Sequence, residues 1–309
     1  MPRNKPDIAR VDPHTPEAGL FKVRPKNAPR LQAEEFFRYP KSKDGERMEI
    51  KYVTPYALNH VDLKIFLAVV GICSSNPSDG DEEPAQKTLW DQFLATGEAA
   101  NMPAAMTRTT SYALAKVAGL NWGKQQSKRI SDALERMSAV TSTWRKNNKS
   151  IAPSASRMLA YAIDEDSGEL ALAISPHFAK AILGEANQYI QINLDEMRAL
   201  KHPAATVLHM IISSRLNLGG KRKERETLIH IDNLAEAAYG PSTTKVQARG
   251  RRRQVVAALD ELHKLDYWFI NYHPKTHKVH IYRVLPDNKH LEEMMQHVDR
   301  IERDLAKED

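Results

Sequence analysis

The chain has a single cysteine, Cys73, among 309 residues. That excludes a disulfide framework and a thiolate zinc cluster, and it suits a reducing compartment. No run approaches the roughly 18 apolar residues of a membrane helix. The opening Met-Pro-Arg-Asn-Lys-Pro lacks the apolar stretch of a secretory signal. Enzyme signatures are missing too. Gly219-Gly220-Lys221 is not a phosphate loop, because Arg215 stands where its first glycine belongs and Arg222 where Ser or Thr is required. Ser74-Ser75 and Ser213-Ser214 lack the flanking glycines of a nucleophile elbow, and no His-apolar-His triplet of a nicking enzyme occurs. His273, His277 and His280 do not converge, and no cysteine or close carboxylate completes a metal site. The expectation is a cytoplasmic protein that is not an enzyme and holds no metal or cofactor.

What remains is a basic chain: 45 Lys and Arg against 39 Asp and Glu, a formal charge of +6, with a mean hydropathy of −0.54. Its length favours two domains. The net charge is too small to choose between nucleic acid and a solvated surface; its placement is more informative. Asn121 to Lys149 carries seven cations against two acids, and Gly219 to Arg253 nine against four, each a net of +5. The rest of the chain is therefore net acidic.

Residues 1–55, rich in proline and basic residues, read as a flexible arm ending in a short strand, Met48 to Val53. Asn59 is placed to cap a helix whose stripe is Leu63, Phe66, Leu67 and Val70. Ser74 to Pro84 reads as a loop. Thr110 caps a short helix, Ser111 to Ala118, ended by Gly119. A second helix spans about Lys124 to Ala139, with Ile130, Leu134 and Met137 as its apolar stripe. Strand-like runs follow at Val140 to Trp144, Arg157 to Ile163 and Glu169 to Ile174, the last two joined by a turn at Asp164 to Gly168. Ser175-Pro176 opens another helix.

The same order then recurs. After an interrupted helix, Asp195 to Leu216, Asp232 caps Asn233 to Tyr239, and Gly240-Pro241 stops it. A basic helix runs from about Val246 to Leu265, ahead of strands Tyr267 to Tyr272 and Lys278 to Val284. Leu114-Ala115 and Leu234-Ala235 lie 120 apart; Ile130, Ala133, Leu134 and Met137 map onto Val255, Ala258, Leu259 and Leu262 at a constant 125. Units this long are tandem domains, not solenoid repeats.

A short helix, a turn, a second helix and a hairpin make a winged helix-turn-helix, so the expected fold is α+β: two tandem winged helix-turn-helix domains at 56–185 and 186–286, behind the arm and ahead of a short C-terminal helix at 287–309. A recognition helix needs cations and amides opposite its apolar stripe. The first copy offers Lys124, Gln125, Gln126, Lys128 and Arg129; the second offers Lys245, Gln247, Arg249, Arg251, Arg252, Arg253 and Gln254. Arg reads guanine and Gln reads adenine bidentately, while Lys neutralises phosphates. Arg145, Lys146 and Lys149 are assigned to the first wing, and Lys275 and Lys278, with His273 and His277, to the second. Gly250 inside the Arg cluster opens the alternative of a helix start beyond Arg251. Trp144, Tyr267, Trp268 and Phe269 read as hairpin core, not as base-stacking platforms. A solvated helix face is the bland alternative for either basic cluster alone.

These residues carry a family resemblance. Ala113-Leu114-Ala115-Lys116 with Gly119, Asp164-Glu165 with Gly168 and Leu170, Leu194 through Leu200, and Arg251-Arg252-Arg253-Gln254 stand in the order found in the replication initiator C proteins of IncQ-type mobilisable plasmids. The likeness runs from about Tyr56 to Val284, and the arm and tail inherit no role from it. The resemblance implies binding of double-stranded DNA at direct repeats (iterons) in a plasmid origin, help in opening an adjacent AT-rich segment, and recruitment of the plasmid's helicase and primase, with a homodimer as a further option. A winged-helix transcriptional regulator would share the domains and differ in target. A nicking or priming enzyme would need the signatures that are missing.

Overall fold

The computed structural model describes residues 7–12, 14–17, 19–24, 31–38, 48–75, 104–123, 125–146, 149–150, 156–164, 166–175, 178–179, 182, 189–216 and 225–283. The expected C-terminal helix at 287–309 lies outside them, as does most of the helix expected after Pro176.

Two copies of one arrangement carry the fold. In the first, strand β4 (Ala105–Thr110) leads into helix α3 (Ser111–Val117), then α4 (Gln126–Ser138), then the hairpin β8 (Leu159–Ile163) and β9 (Glu169–Ile174). In the second, β11 (Arg225–His230) leads into α7 (Ile231–Tyr239), α8 (Lys245–His263), and the hairpin β12 (Trp268–His273) and β13 (Lys278–Arg283). Each three-stranded sheet is antiparallel and has the same order, β4-β9-β8 and β11-β13-β12. The strand ahead of the helix pair therefore joins the far arm of the hairpin in both. The offset of 120 extends to these strands, since Ala105 and Thr110 correspond to Arg225 and His230. The apolar helix residues matched by the two offsets are all buried, including Leu114 with Leu234 and Ile130 with Val255.

Each copy is preceded by an apolar helix. Helix α2 (His60–Ser75) begins with a reciprocal cap: Val61 N–H donates to Asn59 Oδ1 at 2.7 Å, and Asn59 N–H donates to Asp62 Oδ2 at 2.9 Å. Helix α6 (Pro203–Arg215) has proline in its first turn, and His202 Nδ1 accepts from Ala204 N–H. Both helices are buried nearly all round and form the centre of one hydrophobic core that runs through both copies.

The N-terminal segment departs from the expectation of a flexible arm. Strand β1 (Ile8–Val11) pairs antiparallel with β10 (Ile190–Asn193), and Ala9, Val11, Leu20 and Phe21 belong to the core. Phe21 bridges Leu58, and Val23 N–H donates to Ala238 O at 2.7 Å in α7. The short helix α1 (His14–Glu17) lies between these contacts. Proline and charge suggested disorder, but four apolar residues find partners that are distant in sequence.

Two further strands of that segment, β2 (Leu31–Arg38) and β3 (Met48–Tyr56), build a sheet with β5 (Thr141–Lys146), β6 (Lys149–Ser150) and β7 (Ser156–Arg157). This corrects the first wing. Val140 to Trp144 was expected to begin it, but β5 pairs with β3, Thr141 opposite Val53 and Lys146 opposite Met48. The wing hairpin of the first copy is β8–β9 alone. Arg145, Lys146 and Lys149 therefore stand on a separate sheet.

Candidate nucleic-acid interface

Helix α8 begins at Lys245, ahead of Gly250, because Thr244 caps it. Thr244 Oγ1 accepts from Gln247 N–H at 3.1 Å, and Gln247 Oε1 accepts from Thr243 N–H at 2.8 Å. This N-cap, braced by Gln247 reaching back to Thr243, outweighs the weak helix propensity of one glycine. The stripe Val255, Ala258, Leu259 and Leu262 is buried. On the opposite side, Lys245, Arg249 and Arg253 recur every four residues and are all exposed. The hairpin beside this helix presents Lys275 in its turn and Lys278 at the start of β13, both exposed.

The other side chains predicted on this helix have internal work. Arg251 Nη1 donates to the carbonyls of Gly240 (2.6 Å) and Pro241 (2.8 Å), and its guanidinium lies 5.7 Å from the Tyr239 ring centroid. It closes the C-terminal end of α7, where a cation meets the exposed carbonyls favourably. Arg252 Nε and Nη2 donate to Asp232 Oδ1 (2.5 Å) and Oδ2 (2.7 Å). Those hydrogen bonds hold the Asp232 carboxyl below the ordinary carboxylate range. Gln254 Oε1 lies 3.0 Å from His202 Nε2; with His202 Nδ1 already accepting from Ala204, Nε2–H is the donor. Gln247 is committed to the cap.

In the first copy, Gln125, Lys128 and Arg129 are exposed at the start of α4, whereas Gln126 is buried and turned inward. Lys128 Nζ lies 4.0 Å from Asp132, one turn on. Lys124 lies outside the described residues. Arg145 on β5 is exposed and stands 3.7 Å from Glu49. The first wing turn is acidic: Asp164 and Asp166 are exposed, and Asp164 Oδ1 accepts from the N–H groups of Asp166 and Ser167. Two exposed aromatics, Tyr112 on α3 and Trp122 ahead of α4, meet edge to face at 5.5 Å. Charge patterning gives no signal for that pair, and they were not among the predicted residues.

The second hairpin is held from behind by a buried polar cluster. Glu196, on helix α5 (Leu194–Ala199), receives both Arg283 Nη groups at 2.6 Å, Trp268 Nε1–H at 3.0 Å and His209 Nε2 at 2.8 Å. Burial opposes ionisation of Glu196, but the hydrogen bonds from His209 and Arg283 outweigh it and hold its carboxyl down at about 2. Burial lowers the His209 pKa, favouring the neutral ring with Nε2–H as donor. Trp268, expected in the hairpin core, is buried, and the Arg283 guanidinium stacks 4.7 Å from its ring centroid. Among the described residues, no group of His, Cys, Asp and Glu could hold a metal ion, and no helix is long and apolar enough to cross a membrane.

Two joined units, each a strand, a helix pair and a hairpin, define the class by fold. Domains 2 and 3 of RctB, in a crystal structure of selenomethionine derivatives, share that fold at a TM-score of 0.50 with 11% identity, covering 86% of this chain and 95% of that one. A second crystal structure of RctB domains 2–3 covers 89% of this chain and 98% of its own, with 13% identity and a TM-score of 0.43. The sequence itself goes further: residues 5–283 match the replication protein C (RepC) family, and the chain belongs to it. The match takes in most of the N-terminal segment, in keeping with its place in the core. No curated protein sequence matches the chain.

Proposed function

We propose that this RepC-family chain is a replication initiator, and that both units, within residues 56–185 and 186–286, are winged helix-turn-helix modules that bind direct repeats in duplex origin DNA. The observation that carries this reading is the face of α8: Lys245, Arg249 and Arg253 exposed at four-residue spacing beside a wing bearing Lys275 and Lys278. A helix of that kind fits the major groove while the wing holds the adjacent backbone. Exposed Gln125, Lys128 and Arg129 on α4 give the first unit a smaller patch of the same character.

Opening of a nearby AT-rich segment then follows from binding and bending, without a chemical step by the protein. Recruitment of a plasmid-encoded helicase and primase, and homodimer formation, are supported by the resemblance to IncQ initiators; a cytoplasmic setting is supported by the single cysteine. A nuclease footprint of the purified chain on the origin beside its own gene tests the reading. Protection of successive direct repeats is expected, with a length that requires both units. Protection of a promoter alone would favour a regulator, and metal-dependent cleavage of the fragment would overturn the binding-only view.

A further inference from the structure

We propose that Asp232 and Arg252 form a clamp that fixes the second wing against the helix pair, so that an acid within the cationic face strengthens DNA binding. The inference rests on the reading above for its DNA arm, and on geometry alone for the clamp. Arg252 directs its planar fork at both Asp232 oxygens, 2.5 and 2.7 Å away, joining α8 to the first turn of α7. Its remaining group, Nη1, lies 3.5 Å from His277 Nε2 in the wing turn. Arginine only donates, so that ring nitrogen accepts, and His277 Nδ1–H faces Tyr272 Oη on β12 at 2.9 Å. The backbone repeats the link: Ile231 N–H donates to His277 O at 2.8 Å. His277 takes a left-handed φ of 56°, a conformation uncommon outside glycine that these contacts hold in place.

One guanidinium thus ties three elements together, with its three donor nitrogens all facing internal partners. Lys245, Arg249 and Arg253 have no such partners among the described residues and are left to meet phosphate or base edges. Arg252 is a positioning residue. The first unit has no equivalent, since the positions 120 and 125 residues earlier are Tyr112 and Ser127. Its acidic wing turn is closed locally by Asp164. The clamp therefore belongs to the unit whose wing is cationic. Half-exposed ion pairs add little to folding stability, so its effect should appear in binding and in wing order.

The test compares the full chain with Asp232→Asn, Arg252→Ala and the double variant, using a labelled mixed-sequence duplex titrated over a range of salt. The clamp predicts that Asp232→Asn weakens binding by about tenfold through lost preorganisation, even though a negative charge has been removed. Arg252→Ala should match it without changing the salt slope, and the double variant should be no worse than either. Amide exchange on the free proteins should be faster at Ile231 and through residues 268–283 in all three variants. Unchanged exchange would overturn the clamp whether or not DNA is bound. Tighter binding by Asp232→Asn, with a salt slope about one unit lower for Arg252→Ala, would instead make Arg252 a phosphate contact. If the wild-type chain fails to bind duplex, the functional reading falls and the exchange data still decide the clamp.

Discussion

Glu196 shows how one side chain can govern a distant surface. Its carboxylate accepts from Arg283, Trp268 and His209 in the hydrogen bonds that fasten β12 and β13 to α5 and α6. A folded value of about 2 against an ordinary 4.5 corresponds to about 3 kcal/mol. Because the folded value is depressed, that stability is present above the ordinary value and is lost as pH falls toward 2. Urea unfolding should therefore find Glu196→Gln destabilised most near neutrality, with the gap to wild type narrowing below pH 4.5. Gly119 makes a second case. It has φ of +68°, and a Cβ there would lie 2.7 Å from Arg198 Cγ and 2.9 Å from Arg198 Cβ. Gly119→Ala should cost about 1–3 kcal/mol, read as a lower urea midpoint. The sequence marked Gly119 as a helix end, but not its contact with α5. Nor could it separate Arg251 and Arg252, which face inward, from Arg253. A cation's type is local information, whereas its partner is set by folding.

At the scale of elements, most helices were legible because their signals are local. Thr110 and Asn59 cap helices as expected, and the stripes on α4 and α8 are buried. A start near Val246 was expected for α8, with Gly250 opening the alternative of a start beyond Arg251; the Thr244 cap places it at Lys245. Thr244→Ala should cost about 1 kcal/mol in chemical unfolding, and Thr244→Ser should restore most of it. Strands were harder. Ala105–Thr110 and Arg225–His230 show little alternation and complete their sheets only through pairing with β9 and β13. Strand β5 was recognised as a strand but given to the wrong sheet, because its partner β3 comes from far earlier in the chain. The two basic helices were legible in the sequence; the second hairpin lies where it was expected, whereas β5 pairs with β3 instead of joining the first.

Across the whole molecule, the two units share one core and are stitched by polar contacts. Buried Lys64 donates to Leu200 O at 2.7 Å, Arg198 to Val117 O at 3.2 Å, and the N-terminal segment spans from β10 to α7. Length and an internal repeat predicted two domains, but not how far their cores would merge, since pairings across the repeat leave no periodic trace. Calorimetry should show one cooperative transition with matching calorimetric and van't Hoff enthalpies; two separable transitions would mean independent units. The asymmetry between the units is equally a whole-molecule property: the second hairpin turn exposes Lys275 beside Lys278, whereas the first exposes Asp164 and Asp166.

The salt dependence of duplex binding bears most directly on the central claim. Replacing Lys245, Arg249 and Arg253 together with alanine removes charge from the outer face of α8 and leaves its buried stripe intact. If all three meet phosphates, the slope of log K against log salt should fall by about 2 to 3 units with affinity reduced at every salt concentration. An unchanged slope and affinity, in a variant that unfolds like the wild type, would contradict the account and leave that face to solvent.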